Sequence, residues 1–239
     1  MNKKAKFILA VMILAAVSIF FLLSPFFYVT EIVVNGNLTV GGDEIIKRAG
    51  LEKKINIFLL SSKETEKKIK ENFYVESAVL TKQLPSSVVV TVTERRLCGY
   101  IEYAGDMYLY IDDNGRVLEI NRHKSQPLPV INGLNFDRFR LGEQLVTENP
   151  SALRSVVVYA RLLVIYNLLD IISHIDVSDA QNIRMRVNNI DIHFGGTRDA
   201  DEKIRTMKAS LENLPDAENI IGILYITDVS GRYIFKILT

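Results

Sequence analysis

Phe7 to Leu23 (FILAVMILAAVSIFFLL) runs without a charged side chain, and no other feature of the sequence constrains the fold as strongly. A helix needs about 20 mostly apolar residues to cross a bilayer, and Phe26, Phe27 and Tyr28 extend the run with aromatics suited to the membrane interface. Lys3, Lys4 and Lys6 stand before it. Basic flanks favour the cytoplasmic side, so the expectation is one span with the N-terminus inside and the rest outside. A cleaved signal peptide usually has an apolar core of about 7–15 residues ending in small side chains. Here Phe20, Phe21, Leu22 and Leu23 fill that place. The reading is an uncleaved anchor: a tail at 1–6, a span at 7–27 and a folded remainder.

That remainder must be held by its core alone. A single cysteine, Cys98, excludes a disulfide framework and a cysteine-rich metal site. With 29 Lys and Arg against 28 Asp and Glu, no basic nucleic-acid footprint exists.

From Tyr28 the pattern becomes that of a small domain. Tyr28 to Val34 reads as a strand stopped by Asn35-Gly36, and Asp43 to Ala49 as a short helix closed by Gly50. Ser61 and Glu64 form an S-x-x-E capping box, and Thr65, Ile69 and Phe73 give the following helix one inward stripe. Its Lys and Glu residues form a solvated face. Val75–Gln83 and Ser87–Glu94 are strands around Leu84-Pro85-Ser86, with Val88, Val90 and Val92 on one side. The order strand–helix–helix–strand–strand predicts a three-stranded sheet with two helices on one face, ending near residue 95.

Residues 96–239 read as a second, mixed α/β domain. Leu97–Tyr103 pairs with Met107–Ile111. Asn114-Gly115 signals a type I′ hairpin into Val117–Ile120. Pro127 and Pro129 mark an extended crossing. Pro150 to Ile172 is apolar enough to imitate a second span, but Arg154, Arg161 and Asp170 interrupt it, and charges at a bilayer centre cost several kcal/mol. It is expected to be a core helix. Ile183–Val187 and Ile190–Phe194 are strands joined by Asn188-Asn189. Asp199–Leu214 is a helix facing inward through Ile204, Met207, Leu211 and Leu214. Ile223–Thr227 and Arg232–Leu238 form a closing strand pair around Ser230-Gly231.

The span followed by "EIVVNGN", "NIF" at Asn56–Phe58, "VESAVLTKQLPSSVVVTVTERR" and "YIDDNGRVLE" resembles the FtsQ/DivIB family of bacterial division proteins. The resemblance covers nearly the whole chain from Lys3 and is most specific from Ile32 to Arg95. Where the family commonly carries Pro-x-Ala after the Glu-Arg pair, this chain has Arg96-Leu97-Cys98. The resemblance implies an α+β chain: a transmembrane helix, a β-α-α-β-β POTRA-like domain at 28–95, and the family's β domain at 96–239.

No chemistry is legible. His123, His174 and His193 lie far apart in sequence, and no nucleophile motif or phosphate-binding glycine loop is present. Cys98 reads as a small buried hydrophobe. Asp112-Asp113-Asn114-Gly115 lacks the spacing and distal Glu of a calcium loop, and a hairpin turn explains it better. The expectation is a non-enzyme without cofactor or metal. A terminal strand of a mixed sheet can accept a partner's strand. Periodicity does not decide whether "SGRYIFKIL" is an edge or an interior strand. The family resemblance implies a divisome scaffold holding bitopic FtsB/DivIC-like and FtsL-like proteins, at the plasma membrane and the division septum. It points to Ser230, Gly231, Arg232, Tyr233, Ile234, Phe235 and Lys236 as the partner-binding stretch. The alternative is a signal-anchored envelope enzyme or sensor on a POTRA-like stalk, with a polar cleft in the second domain.

Overall fold

A computed structural model of the chain describes residues 3–51, 54–214, 220–227 and 233–238. Helix α1 (Lys3–Leu22) has no buried residue, and among the described residues it is the one helix long and apolar enough to cross a membrane. A core helix of this composition would bury its surface instead. The chain forms two compact units, Met1–Arg95 and Arg96–Thr239.

In the first unit a 3₁₀ turn (Pro25–Phe27) leads to β1 (Glu31–Asn35), α2 (Gly42–Ala49), α3 (Ser62–Ile69), β2 (Val75–Gln83) and β3 (Ser87–Glu94). The sheet order is β1-β3-β2, with β1 parallel and β2 antiparallel to the central β3. Val88, Val90 and Val92 are at most 3% exposed and share one core with Ile45, Ala49 and Ile69 of the two helices. The predicted cap is present: Ser61 Oγ accepts the Glu64 N–H at 3.4 Å. Gly36 (φ +82°) is required, because a Cβ there would lie 2.2 Å from the Val92 carbonyl oxygen.

Two expectations in this unit need correction. β1 starts three residues later than the pattern suggests, since Val29 N–H donates to Ile55 O and Tyr28 bridges to Asn56. Those backbone groups pair with the α2–α3 connection before the sheet begins. Phe73 lies beyond the helix, which stops at Ile69, and the residue is 42% exposed.

The second unit contains β4 (Leu97–Tyr103), β5 (Met107–Asp112), β6 (Val117–Asn121), β7 (Val130–Asn132), α4 (Pro150–Ile165), β8 (Ile172–Asp176), β9 (Ile183–Val187), β10 (Ile190–Gly195), α5 (Ala200–Glu212), β11 (Gly222–Tyr225) and β12 (Ile234–Ile237). They build one nine-stranded mixed sheet, ordered β12-β11-β10-β9-β8-β7-β4-β5-β6. α4 and α5 share a single core with it through Val156, Leu163, Ile204 and Met207. Asn149 starts α4, its side chain accepting from Ser151 and Ala152 N–H ahead of Pro150 in the first turn.

α4 is shorter than expected. It ends at Ile165, where Asn167 takes a left-handed conformation (φ 53°) and Leu168 N–H folds back to Leu163 O. Asn tolerates that region better than other residues, and the Schellman-like return closes the helix. The apolar residues after it become strand β8. The hairpin at Asn114-Gly115 is not type I′, which needs positive φ at both central residues. Only Gly115 has it (φ +73°). Asp112 Oδ1 instead accepts from Asn114 and Arg116 N–H, and a bulge follows at Tyr110/Ile111.

A candidate partner-binding sheet edge

The strand partners across the sheet decide which way each residue of β12 faces. Phe235 pairs with Leu224, and the same row continues through Ile192, Met185 and Ile175. Those four are at most 2% exposed, so Phe235 stands at the outer end of a core row and is half-buried against the core. Ile234 pairs with Tyr225, and that row continues through His193, Arg184, Asp176 and Asn132 on the opposite, polar face. Lys236 belongs to that face too, its Nζ 5.4 Å from the Tyr225 ring centroid.

Gly222 lets the last strand approach. A Cβ on it would sit 2.8 Å from both Lys236 O and the Phe235 ring. No side chain fits without moving β12.

The hydrogen-bond phase of the pair follows from one contact. Leu238 N–H donates to Ile221 O at 2.8 Å. In an antiparallel ladder the bonded pairs alternate, so the N–H and C=O of Lys236 and Ile234 point inward to β11, and those of Phe235 and Ile237 point outward. Among the described residues β11 is the one strand paired with β12. The opposite end of the sheet differs: at β6, Val117 donates to Glu143 O and accepts from Gly142 N–H. A loop thus covers that edge, whereas among the described residues no strand pairs with the outer side of β12, which is rimmed by Tyr233 (48% exposed), Ile234 (59%), Ile237 (63%), Leu238 (49%) and Ile221 (56%).

Of the residues singled out from sequence, Ser230, Gly231 and Arg232 lie outside the described residues. Tyr233, Ile234, Phe235 and Lys236 are at the edge, with Phe235 turned largely to its own core. Sequence reading missed Ile221, Ile237 and Leu238 as rim residues. The available signal was the excess of apolar residues around Gly222, more than one buried strand face requires.

The sheet also brings together what the sequence separates. His174 and His193, with Asn132, Asp176, Arg184, Arg186 and Asp191, line a shallow cleft of about 240 Å³ on the polar face. One pair of its charges is matched across strands: Arg186 donates to both Asp191 oxygens, at 2.7 and 3.0 Å. Burial, then the Arg184 charge, hold His193 below the usual histidine range, against a smaller opposing pull from Asp191. His123 is exposed on the segment after β6. Cys98 is fully buried, its Sγ donating to Asp112 O at 3.0 Å, and burial pushes the thiol well up. It is not poised as a nucleophile.

The fold therefore defines an apolar leading helix, a POTRA-like unit and a sheet-rich unit whose last described strand is β12. The family model "POTRA domain, FtsQ-type" matches residues 27–95, and "Cell division protein FtsQ/DivIB, C-terminal" matches residues 99–227. The chain belongs to the FtsQ/DivIB family of cell division proteins. It is 28% identical over 181 residues to the cell division protein DivIB of Clostridium tetani, covering 75% of this chain and 68% of that one. To the DivIB of Clostridium botulinum (strain Hall) it is 26% identical over 184 residues, 76% of this chain and 71% of that one. To the DivIB of Staphylococcus aureus (strain NCTC 8325) it is 29% identical over 114 residues, 47% and 26% of the respective chains. Neither family model extends to β12.

Proposed function

We propose that this chain is a non-catalytic, membrane-anchored scaffold of the division machinery, with its N-terminus in the cytoplasm and both units outside. It holds bitopic partners of the FtsB/DivIC and FtsL type by accepting a strand at β12, with Ser230 to Lys236 as the core of the contact. One observation carries the reading: β12 ends the sheet with outward backbone groups and an apolar rim, at a place the opposite edge protects with a loop. Backbone pairing would supply affinity and the alternating side chains specificity.

The test is capture of a purified FtsB/DivIC-type ectodomain by the full chain, compared with Ile234→Lys and Tyr233→Ser. Weakened capture with unchanged melting supports the edge. Full capture by both variants refutes it. The orientation is tested separately, since a C-terminal reporter active only in the cytoplasm would overturn it.

The polar cleft favours a second reading, an envelope enzyme or sensor. Arg186 and Asp191 are spent on one another, Asp176 accepts from Ser178, and no serine, threonine or cysteine lines it. A His174→Ala/His193→Ala double variant that still restores septation in a depleted strain rejects this second reading; failure with normal folding sustains it.

A further inference from the structure

The loop between α2 and α3 meets the end of the apolar helix. Asn56 is 4% exposed, and its Nδ2 donates to the carbonyl of Leu22, the last residue of α1, at 2.9 Å. Ile57 N–H donates to Phe27 O at 2.9 Å, and Tyr28 bridges to Asn56. Two loop residues beyond this junction are apolar and uncovered: Phe58 is 43% exposed and Leu59 is 68% exposed. Phe58 joins an aromatic cluster that begins inside α1, with centroids 4.9 Å apart for Phe27–Phe58, 5.0 Å for Phe26–Phe27 and 5.4 Å for Phe21–Phe27. Phe26 is 61% exposed.

The length of the helix says what covers them. Phe7 to Leu23 rises about 25 Å at 1.5 Å per residue, while a bilayer's hydrocarbon core is about 30 Å thick. A short span draws its flanking residues into the membrane. The residues next in line are Phe26, Phe58 and Leu59, and the Asn56–Leu22 bond holds the loop at that depth.

We propose that Phe58 and Leu59, with Phe26, insert into the outer interface of the bilayer, so that the first unit rests on lipid by its α2–α3 loop. This rests on the reading of α1 as a membrane anchor. Aromatic and aliphatic side chains in such a place bury themselves about 5–10 Å into the headgroup–acyl boundary. The second contact also limits tilting of the unit about the end of its span.

The chain has no tryptophan, so a single introduced one reports its own surroundings. The full chain, alone in nanodiscs of phosphatidylethanolamine and phosphatidylglycerol containing brominated lipid, is compared as Phe58→Trp, Leu59→Trp, Val11→Trp and Leu38→Trp. Val11 lies within α1. Leu38 is 88% exposed just past the far end of β1 and serves as the apolar control in water. The expected result is blue-shifted emission quenched by brominated lipid for Phe58→Trp and Leu59→Trp, less deeply than for Val11→Trp, and no quenching for Leu38→Trp. Quenching at Val11→Trp with solvent-like emission at 58 and 59 overturns the proposal and leaves the anchor standing. Blue-shifted but unquenched emission at 58 and 59 means protein, such as a second copy, covers the loop, and also overturns it. Equal quenching at Leu38→Trp overturns it as non-specific. No quenching at Val11→Trp removes the anchor and this proposal together.

Discussion

Two prolines on one strand should behave in opposite ways. Ile237 directs its N–H outward from β12, whereas Ile234 directs its own inward to β11. Ile237→Pro therefore removes a donor that no described residue of the chain uses and that the proposed partner would. A net hydrogen bond contributes about 1 kcal/mol. The residue is 63% exposed, and burying a whole isoleucine contributes about 1.5–3 kcal/mol, so a partner covering it gains about 1–2 kcal/mol. Ile237→Ala loses most of the second contribution and keeps the donor. Ile237→Pro should bind roughly fivefold more weakly than Ile237→Ala, and roughly thirtyfold or more below the parent chain.

Ile234→Pro instead breaks a bond within the fold. It should lower the melting temperature by a few degrees, from about 1 kcal/mol of lost ladder bonding, and lose binding only as β12 detaches. The assay is titration of the full chain in detergent with an FtsB/DivIC-type ectodomain, with thermal melts of the same samples. Equal affinities for Ile237→Pro and Ile237→Ala would show that no partner uses the outward backbone. Weak binding by Ile234→Pro with an unchanged melt would show that the inward and outward assignments are reversed.

Gly222→Val should displace β12 and abolish capture, with little effect on circular dichroism from the remaining strands; retained capture would place the interface elsewhere. Glu94 accepts three backbone N–H groups, from Leu38, Thr39 and Val40, at 2.8–3.0 Å. Burial pushes its pKa up, but the N–H donors of Val40, Thr39 and Leu38 outweigh this and hold it below the ordinary 4.5. Its stabilisation is thus present above that value and lost as pH falls through the depressed one. Glu94→Gln should cost about 1–2 kcal/mol in the first unit at pH 7 and flatten its acid melting profile; an unchanged profile refutes this. Lys203, 3% exposed, donates to Phe194 O at 2.8 Å and Gly196 O at 3.1 Å. Lys203→Met should cost about 1–3 kcal/mol by stranding the buried Phe194 carbonyl, since Gly196 O keeps the Tyr159 hydroxyl, and this is read as a lower melting temperature of the second unit.

Where local chemistry decides an element, the sequence could be read directly. Ser61 and Glu64 announce α3, and the alternation of Val88, Val90 and Val92 gives β3 its buried face. The apolar stretch after α4 misled because helix and strand share its composition. A single left-handed Asn167 separates α4 from β8, and conformation at one residue leaves no periodicity. Strand order was the least legible. β7, three residues long, sits between β4 and β8 through parallel pairings of distant segments. The same long-range pairing makes β12 an edge and sets His174 and His193 over one cleft. The role of Glu94 was hidden for a related reason: its donors lie more than fifty residues away.

An exposed apolar edge is also a hazard, because it can pair with copies of itself. β12 limits this by being four residues long and by carrying Lys236 on its open face. Within Ile234–Ile237 only Phe235 and Ile237 offer outward backbone groups, so at about 1 kcal/mol per bond the edge alone binds weakly. On the proposed function, tethering resolves the conflict, since confinement to one membrane raises the effective concentration of any partner that crosses it. An edge too weak to capture strangers in solution then suffices for a neighbour. A chain lacking residues 1–27 should therefore still capture the partner ectodomain at high concentration yet fail to restore septation. Replacing α1 by an unrelated span of the same orientation should restore it in large part. If that exchange fails although the chimera is inserted and folded, α1 makes specific contacts of its own, and confinement is not what makes a weak edge sufficient.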